Sequence, residues 1–261
     1  MREGDSMNIY FLNHSGFMLD DGIRCYVFDY FKDPEKRVDA MVAAGREMWF
    51  FVTHTHGDHY NPAILNFNQS TTRYIFHKDV AVVRDLTARA VAQNQSEMVN
   101  QTADTDNRTR INEELLTAML PGETVTIEDT EITMFGSTDE GGSFRVKTPR
   151  DTFFHAGDLN WWHWLGDTTE NIREAKDMAW RELSPLQGVT VDIGMFPVDN
   201  RLEDAMEWGV IEFLRRMTVT RAVIPMHLNG PRWKPSLYFK ALFPDVPILN
   251  PSSEGEEFLN V

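Results

Sequence analysis

One short cluster of histidines and a carboxylate contains the residues of this sequence that are best suited to carry out chemistry. The cluster directly follows the apolar run Met48–Val52 and places four potential ligands in six positions. These residues are His54, His56, Asp58 and His59. Side chains alternate in an extended chain, so the first three project to one side, and Gly57 permits a turn that returns the fourth. Imidazole and carboxylate ligands suit zinc, manganese and iron, so the pattern predicts a divalent-metal site.

Two later residues stand at the ends of apolar runs in the same way. Asp158 follows the run Thr152–His155, and His227 follows the run Ala222–Met226. Short apolar runs bounded by turn residues are typical of buried strands. Three groups of potential ligands at three strand ends can converge on one edge of a sheet. We therefore expect both residues to join the metal site.

The stretch His54–His59 resembles the signature of the metallo-β-lactamase superfamily, and the resemblance extends across most of the chain. Asn13–Phe17 followed by Val27–Asp29 resembles the opening hairpin of the lactonase-like branch, which includes ascorbate-phosphate lactonases. His155–Asp158 resembles the family's strand-end Gly-Asp, whose carboxylate bridges two metals, and Ile224–His227 resembles its final strand, which ends in a metal-binding His. The resemblance implies an α/β (α+β) fold, a four-layer αββα sandwich with the site between the two sheets.

The sequence departs from the family pattern at one ligand. A further His usually lies between the first cluster and the bridging Asp, but none occurs here between His77 and His155. The matching segment is Gly136–Gly142, where Asp139 or Glu140 could supply an oxygen ligand, or both could be ordinary acidic loop residues. The resemblance then implies one metal with His54, His56, Asp158 and Asp139, and another with Asp58, His59, Asp158 and His227. We expect one or two divalent ions, with zinc favoured and manganese or iron as alternatives.

A second set of residues is expected around the metals or in the substrate pocket. Asp29 ends a strand and could orient a metal-binding imidazole, or could cap a turn. His163 follows Asp158 in a Trp-rich stretch and is a candidate proton donor, although such stretches are also typical of core packing. The residues predicted to surround the site are His14, Asp29, Trp161, Asn229 and Arg232.

Apolar runs that indicate strands alternate with helical stretches along the chain, which is typical of a layered α/β sheet protein. Helices are predicted over Val80–Ala92, Thr169–Leu183 and Leu202–Met217, and a polar insertion near 93–112. The predicted strands are Asn8–Leu12, Ser15–Leu19, Arg24–Phe28, Met48–Val52, Thr72–His77, Thr152–His155, Val191–Phe196 and Ala222–Met226, with several more between Glu123 and Lys147. We find no short-period repeat and no low-complexity linker, so we expect a single domain over residues 1–261.

Composition excludes several classes of protein. The 261 residues include 25 Lys and Arg against 40 Asp and Glu, a net charge of −15, which argues against binding to nucleic-acid phosphates. The single cysteine, Cys25, excludes a disulfide framework and a Cys-rich metal site. No apolar run approaches the ~18 residues of a membrane helix, and the first six residues lack the apolar core of a signal peptide. We expect a cytoplasmic protein with neither a membrane nor a nucleic acid as partner.

Together these features predict a metal-dependent hydrolase of a small ester, lactone or phosphoester substrate. Metal-activated water would attack the substrate, and Asp58 would ligate one metal and orient the nucleophile. Two alternatives stay open: a phosphodiesterase or nuclease of the same fold, and a metal-binding protein without catalysis. The sequence carries no signal for the oligomeric state.

Overall fold

The computed structural model describes residues 7–80, 83 and 113–261, whose strands form two mixed sheets. The strands are β1 (Asn8–Asn13), β2 (Gly16–Asp20), β3 (Arg24–Phe28), β4 (Glu47–Val52), β5 (Arg73–His77), β6 (Leu116–Met119), β7 (Thr124–Ile127), β8 (Thr130–Phe135), β9 (Ser143–Lys147), β10 (Thr152–His155), β11 (Thr190–Pro197), β12 (Thr218–Met226) and β13 (Glu257–Phe258). The α-helices are α1 (Arg37–Ala43), α2 (Thr169–Leu183), α3 (Trp208–Leu214) and α4 (Leu237–Leu242). Short 3-10 helices lie at Pro62–Asn66, Glu113–Leu115, Ser184–Leu186 and Asn200–Ala205.

The first sheet has the strand order β13-β1-β2-β3-β4-β5-β6. Strands β1 to β3 form an antiparallel meander, and β3 to β6 pair in parallel. Both faces of β4 are covered, which explains why Met48, Trp49 and Phe50 are all buried despite pointing to alternate sides. The carboxyl ends of β3 and β4 therefore lie side by side at one edge.

The second sheet has the order β12-β11-β10-β9-β8-β7. Strands β10, β11 and β12 pair in parallel, whereas β7 to β10 are antiparallel neighbours. Three parallel strands thus end at the same edge of this sheet. Their following residues, Asp158, Asp199 and His227, are brought together there.

The two sheets pack face to face through large aromatic side chains. The Phe51 and Phe144 rings meet at 5.4 Å, and the Tyr26 and Phe153 rings at 5.3 Å. On the far side of the first sheet, buried Val38 of α1 joins a separate apolar cluster. On the far side of the second sheet, Phe213 of α3 stacks on Phe154 at 5.5 Å. The layers therefore run helix, sheet, sheet, helix, as the predicted αββα sandwich requires.

Most predicted elements are confirmed within a few residues, and one helix is wrong. The helix over Thr169–Leu183 is found with the predicted bounds. The predicted helix Leu202–Met217 is broken: Glu203 has φ 52° and ψ −121°, so the segment splits into a 3-10 turn and α3. The helix expected over Val80–Ala92 lies outside the described residues except at positions 80 and 83, as does the insertion near 93–112. The single domain over residues 1–261 stays a prediction. Within the described ranges, no helix is long and apolar enough to cross a membrane.

Candidate metal centre

The histidines and carboxylates of the sequence clusters meet where the two sheets share an edge. Two groups have ligand atoms that all lie within 4.8 Å of one another. One group holds His14, Asp58, His59 and His227, and the other holds His54, His56 and Asp158. The structure thus brings the first cluster, the strand-end Asp and the final His to one place.

Asp158 stands between the two groups and faces both. Its Oδ2 lies 3.5 Å from His54 Nε2, and its Oδ1 lies 3.1 Å from His59 Nε2 and 3.6 Å from His227 Nε2. Two ligands bonded to one zinc at 2.0–2.1 Å in a tetrahedron are about 3.4 Å apart. The observed separations therefore fit atoms that share a cation, and the two oxygens of Asp158 are placed to serve one cation each.

Two atoms of this set are buried in a way that ordinary hydrogen bonding does not satisfy. His59 Nε2 and Asp158 Oδ1 are buried, and neither finds a hydrogen-bond partner in the described part of the chain, although they face each other. Buried polar atoms without partners are costly and uncommon. A divalent cation at this point would satisfy both atoms, so the residues present fit the metal that the sequence predicts.

The outer ring nitrogens of the buried histidines are held by protein groups. His59 Nδ1 donates to Asp29 Oδ2 at 2.7 Å, and His227 Nδ1 donates to Asp199 Oδ2 at 2.9 Å. The third ring, His54, donates through Nδ1 to the Thr53 hydroxyl at 2.9 Å. These contacts assign the tautomers and leave each Nε2 facing the centre, which is the usual arrangement behind metal-binding imidazoles.

Asp29 organises the loop that follows β4. Its carboxylate is fully buried and accepts hydrogen bonds from the Thr53 amide and the Thr53 hydroxyl, each at 2.8 Å, besides the one from His59. Because the Thr53 hydroxyl donates its proton to Asp29, its lone pair is free to accept from His54. The structure thus places Asp29 behind two imidazoles, where the sequence predicts an orienting carboxylate.

Backbone strain concentrates at the same edge. Four residues beside the centre adopt a positive φ between 43° and 59°, a region that residues other than Gly seldom occupy. They are His14, Asp29, His227 and Asn229. Glycine is required at two neighbouring positions by close approach to Thr53. A Cβ on Gly141 would lie 2.0 Å from the Thr53 carbonyl oxygen, and one on Gly157 would lie 2.9 Å from the Thr53 side chain.

The charges of the cluster divide its imidazoles into two kinds. Burial lowers the pKa of His14 and of His54 to about 4, so both rings are neutral near pH 7. Burial opposes the charge on His59 too, yet Asp29 and Asp158 together raise its pKa to about 10. Asp158 is also buried, but its contact with His59 holds the pKa of its carboxyl well below the usual range. The Asp158 carboxylate is therefore ionised and the His14 and His54 rings are neutral, as metal binding needs.

The acidic loop Gly136–Gly142, which occupies the sequence position of the missing family His, lies at the rim of the metal centre. Asp139 lines the cavity beside the centre, where burial and then Asp158 raise the pKa of its carboxyl, but the two ligand groups found among the described residues do not include it. Glu140 Oε2 lies 3.8 Å from His56 Nε2 and its side chain is 57% exposed. Asp139 as a metal ligand therefore stays a prediction.

Two cavities open onto the centre and share Asp58 as a lining residue. One, of about 490 Å³, is also lined by His14, Asn229, Arg232 and Lys32. The other, of about 420 Å³, is lined by His56, Asp58, Thr138, Asp139, Asp158, Trp162, Trp164, Arg201 and His227. The predicted pocket residues Asn229 and Arg232 are thus found in the first cavity. Asn229 also donates to Asp199 Oδ2 at 3.1 Å, which places it behind His227.

The Trp-rich stretch after β10 is divided differently from the prediction. Trp161 and His163, predicted for the pocket and for proton donation, pack on Trp208 at ring distances of 4.9 and 4.4 Å. Trp162 lines the cavity instead, and its Nε1 donates to the Asp158 carbonyl at 3.0 Å. The stretch is not a strand, so strand alternation gave no guide to which ring faces inward. His163 as proton donor and Trp161 as pocket wall stay predictions.

Sequence reasoning missed Asp199 and Arg201. Asp199 is fully buried, and its carboxylate accepts hydrogen bonds from His227, Asn229 and the Arg201 guanidinium. Its role is therefore visible only once these residues are brought together. A signal was available, because Asp199 follows the apolar run of β11 as Asp158 follows that of β10. Arg201 gives no comparable signal in the sequence, since it is positioned by its hydrogen bonds to Asp199 and by the Trp164 ring, whose centroid is 5.4 Å away.

Comparison with known proteins addresses the fold. No protein-family model and no curated protein match the sequence. Igni18, a metallo hydrolase from Ignicoccus hospitalis, has a similar structure, with a TM-score of 0.55, 12% identity and coverage of 97% of this chain and 98% of that chain. The metallo-β-lactamase fold protein YhfI from Bacillus subtilis gives a TM-score of 0.53 and 12% identity, over 98% of this chain and 99% of that one. The predicted four-layer metallo-β-lactamase fold is therefore confirmed.

Proposed function

We propose that this protein is a metal-dependent hydrolase of a small ester, lactone or phosphoester. One observation carries the proposal: three buried imidazoles have their outer nitrogens held by protein oxygens and their inner nitrogens turned toward a shared carboxylate, Asp158. A structural ion-pair network has no need of three imidazoles held from behind and aimed at one point. The shared fold with proteins named as metallo hydrolases supports the same conclusion.

The two groups of ligand atoms would hold one divalent metal each, and Asp158, a member of the second group, would also serve the first through Oδ1, which lies 3.1 Å from His59 Nε2. Bound there, the metals would supply Lewis-acid chemistry, polarising a carbonyl or phosphoryl group and activating water near neutral pH. The nitrogen and oxygen donors favour zinc, and the oxygen-rich neighbourhood keeps manganese and iron as alternatives.

Asp58 is the residue best placed to act on the attacking water. Its carboxylate lines both cavities and its side chain is 46% exposed, whereas Asp158 is nearly buried. It can accept a hydrogen bond from water and set the direction of attack while it remains within ligand distance of His59 and His227. Asp29 and Asp199 act behind the rings, because each accepts a hydrogen bond from Nδ1 and so keeps Nε2 turned toward the metal site.

Cationic side chains at the cavity walls favour an anionic group on the substrate. Arg232 and Lys32 line the larger cavity together with the acidic Asp58 and Glu254, in a protein whose net charge is −15. A guanidinium or ammonium group in such a cavity can form a charge-assisted hydrogen bond with a carboxylate or phosphate. We therefore propose a carboxylated or phosphorylated small molecule as substrate, with Arg232 contacting its charge. Nucleic acid is disfavoured because its binding needs a broad basic face.

Two further proposals concern the whole chain. Ligands come from both sheets, and we propose that residues 1–261 act as one domain. Cys25 is buried and unpaired, which suits a reducing compartment, and we propose a cytoplasmic location.

The test of function is turnover by purified, metal-loaded protein against panels of esters, lactones and phosphodiesters. Asp58→Ala should abolish turnover while circular dichroism stays unchanged. Asp177→Ala is the matched control, because that carboxylate is exposed on α2, away from the cavities. Turnover lost in the first variant and kept in the second supports the hydrolase. Metal bound but no turnover in any panel would leave a metal-binding protein without catalysis, and activity on phosphodiesters alone would select the phosphodiesterase.

A further inference from the structure

The turn between β1 and β2 places His14 inside the centre, where the sequence predicted only a neighbour of the site. His14 Nε2 lies 3.3 Å from Asp58 Oδ2, and the ring centroids of His14 and His227 are 4.1 Å apart. This Nε2 is buried and has no hydrogen-bond partner among the residues described. A buried imidazole nitrogen in this state is costly, whereas it is ready to bind a cation.

The position of His14 is fixed by contacts from the opposite sheet. Its carbonyl oxygen accepts a hydrogen bond from the His227 amide at 3.1 Å, and the carbonyl of Ser15 accepts one from His155 Nε2 at 2.8 Å. His14 also has a φ of 52°, at the first position of the two-residue hairpin turn between β1 and β2. The turn is thus tied to the ends of β10 and β12, the two strands that present Asp158 and His227.

The two halves of the centre consequently differ in the number of donors. The half around His59 has four residues within mutual ligand distance, and Asp158 Oδ1 adds a fifth donor. Among the residues that the structure describes, the half around His54 has three, because the family's usual additional His is missing and Asp139 and Glu140 are not in the group. A site with three protein ligands keeps positions open for water and substrate, whereas a site with five donors is nearly filled.

We propose that His14 is a metal ligand and that it makes the two metal sites unequal. The site of His14, Asp58, His59, His227 and Asp158 fills first and holds its metal tightly. The site of His54, His56 and Asp158 fills second, exchanges its metal more readily, and keeps the open positions. This inference rests on the proposed metal centre, but it concerns occupancy and does not depend on which bond is hydrolysed.

Metal titration of chelated protein tests the inference without reference to activity. Cobalt is added stepwise while its visible absorption reports coordination, and native mass spectrometry counts the ions bound. Wild-type protein should bind two ions in two separated steps. His14→Asn should weaken the first step at least about tenfold, a loss of the size that disturbed metal sites show. Asn is chosen because it tolerates a positive φ, so the turn is kept.

Two companion variants complete the design. His54→Ala should remove the second step and leave the first intact. Asp177→Ala is the control, since that exposed carboxylate on α2 lies outside both groups, and it should change neither step. An unchanged first step in His14→Asn, a first step lost in His54→Ala, or one undivided step in the wild type would each overturn the proposal. Turnover measured in parallel separates this result from the proposed function, because inactive protein with two unequal sites would contradict only the latter.

Discussion

The two halves of the metal centre differ in what stands behind their imidazoles. His59 and His227 are buried, and each has a buried carboxylate, Asp29 or Asp199, on its outer nitrogen. In the other half, His54 has only a hydroxyl behind it, and the His56 side chain is 43% exposed with Glu140 Oε2 3.8 Å from its Nε2. In one half, buried carboxylates therefore hold the imidazoles in place, and in the other half an imidazole is exposed to solvent.

This difference indicates how a site can retain a metal and still admit substrate. Ligands held by buried carboxylates lose little freedom when they bind a cation, so affinity is concentrated there. An exposed ligand such as His56 can shift when substrate enters, at little cost to the fold. Variants in the half with buried carboxylates are therefore expected to change metal affinity more than variants in the exposed half.

The largest effect is expected from Asp158, which serves both halves. Asp158→Ala should release both metals, abolish turnover, and lower the free energy of unfolding by about 3 kcal/mol, because His59 and its charge lose a buried partner. Metal content by elemental analysis and urea unfolding measure the two results. Asp177→Ala should leave both unchanged. Retention of one tightly held metal by Asp158→Ala would contradict the bridging role.

The half with buried carboxylates should be sensitive to the residue behind its ring. Asp29→Asn leaves the Thr53 hydrogen bonds compromised and weakens the hold on His59 Nδ1. We expect the tight metal to bind 10–100-fold more weakly, as outer partners usually cost. His56→Ala should reduce affinity for the second metal and spare the first. Competition with a chromophoric chelator measures both. Equal effects of the two variants on the first metal would remove the contrast between the halves.

The same contrast predicts how metal binding depends on pH. Burial lowers the pKa of His59, but Asp29 and Asp158 raise it to about 10, above the ordinary value of 6.5. The metal-free protein therefore carries a protonated His59 at neutral pH. Binding a metal at pH 8 should therefore release about one proton from His59, and affinity should rise with pH until about 10. His14 and His54, whose pKa burial lowers to about 4, release none.

Calorimetry in buffers of different ionisation enthalpy counts these protons. In the chelated protein, the stability that His59 contributes is fully present below its unfolded pKa of about 6.5 and is lost as pH rises through about 10. Asp29→Asn should lower the number of protons released at pH 8. No proton release by the wild type would contradict the assignment of His59 as a charged ring between two carboxylates.

The smallest effect is expected where the chain only lines the exposed half. Trp162→Phe removes the hydrogen bond to the Asp158 carbonyl, which should cost about 1 kcal/mol of stability and raise KM a few-fold. Trp161→Phe is the matched variant, since its ring packs against Trp208 and lies in another cleft. Steady-state kinetics with thermal unfolding compares them. A larger rise in KM for Trp161→Phe than for Trp162→Phe would indicate that Trp161, rather than Trp162, lines the substrate pocket.

The ligands that the sequence located share a local pattern. The His54–His59 cluster, Asp158 and His227 each follow an apolar strand, and strand ends can be recognised from texture and turn residues alone. The layered fold follows from the same alternation of strands and helices. Asp199 obeys this rule as well, and its role was missed because no single residue shows which imidazole it will meet.

The remaining differences depend on contacts between distant segments. His14 enters the centre because its turn is hydrogen-bonded to His227, more than two hundred residues away in sequence. The break at Glu203 interrupts an apolar stripe that on its own predicts one continuous helix. At His14 a tertiary contact, which periodicity cannot report, decides the conformation, and near Glu203 the same segment is held by a hydrogen bond from the Asn200 amide to the Leu228 carbonyl at 3.0 Å.

The measurement that tests the central claim most directly is turnover as a function of the number of metals bound per chain. Chelated protein is loaded stepwise with zinc or manganese, and metal content and hydrolysis are determined on the same samples. We predict two ions per chain at saturation, with hydrolysis of a small anionic ester, lactone or phosphoester that depends on them. The account would be contradicted if the protein bound no divalent metal after equilibrium dialysis against zinc or manganese.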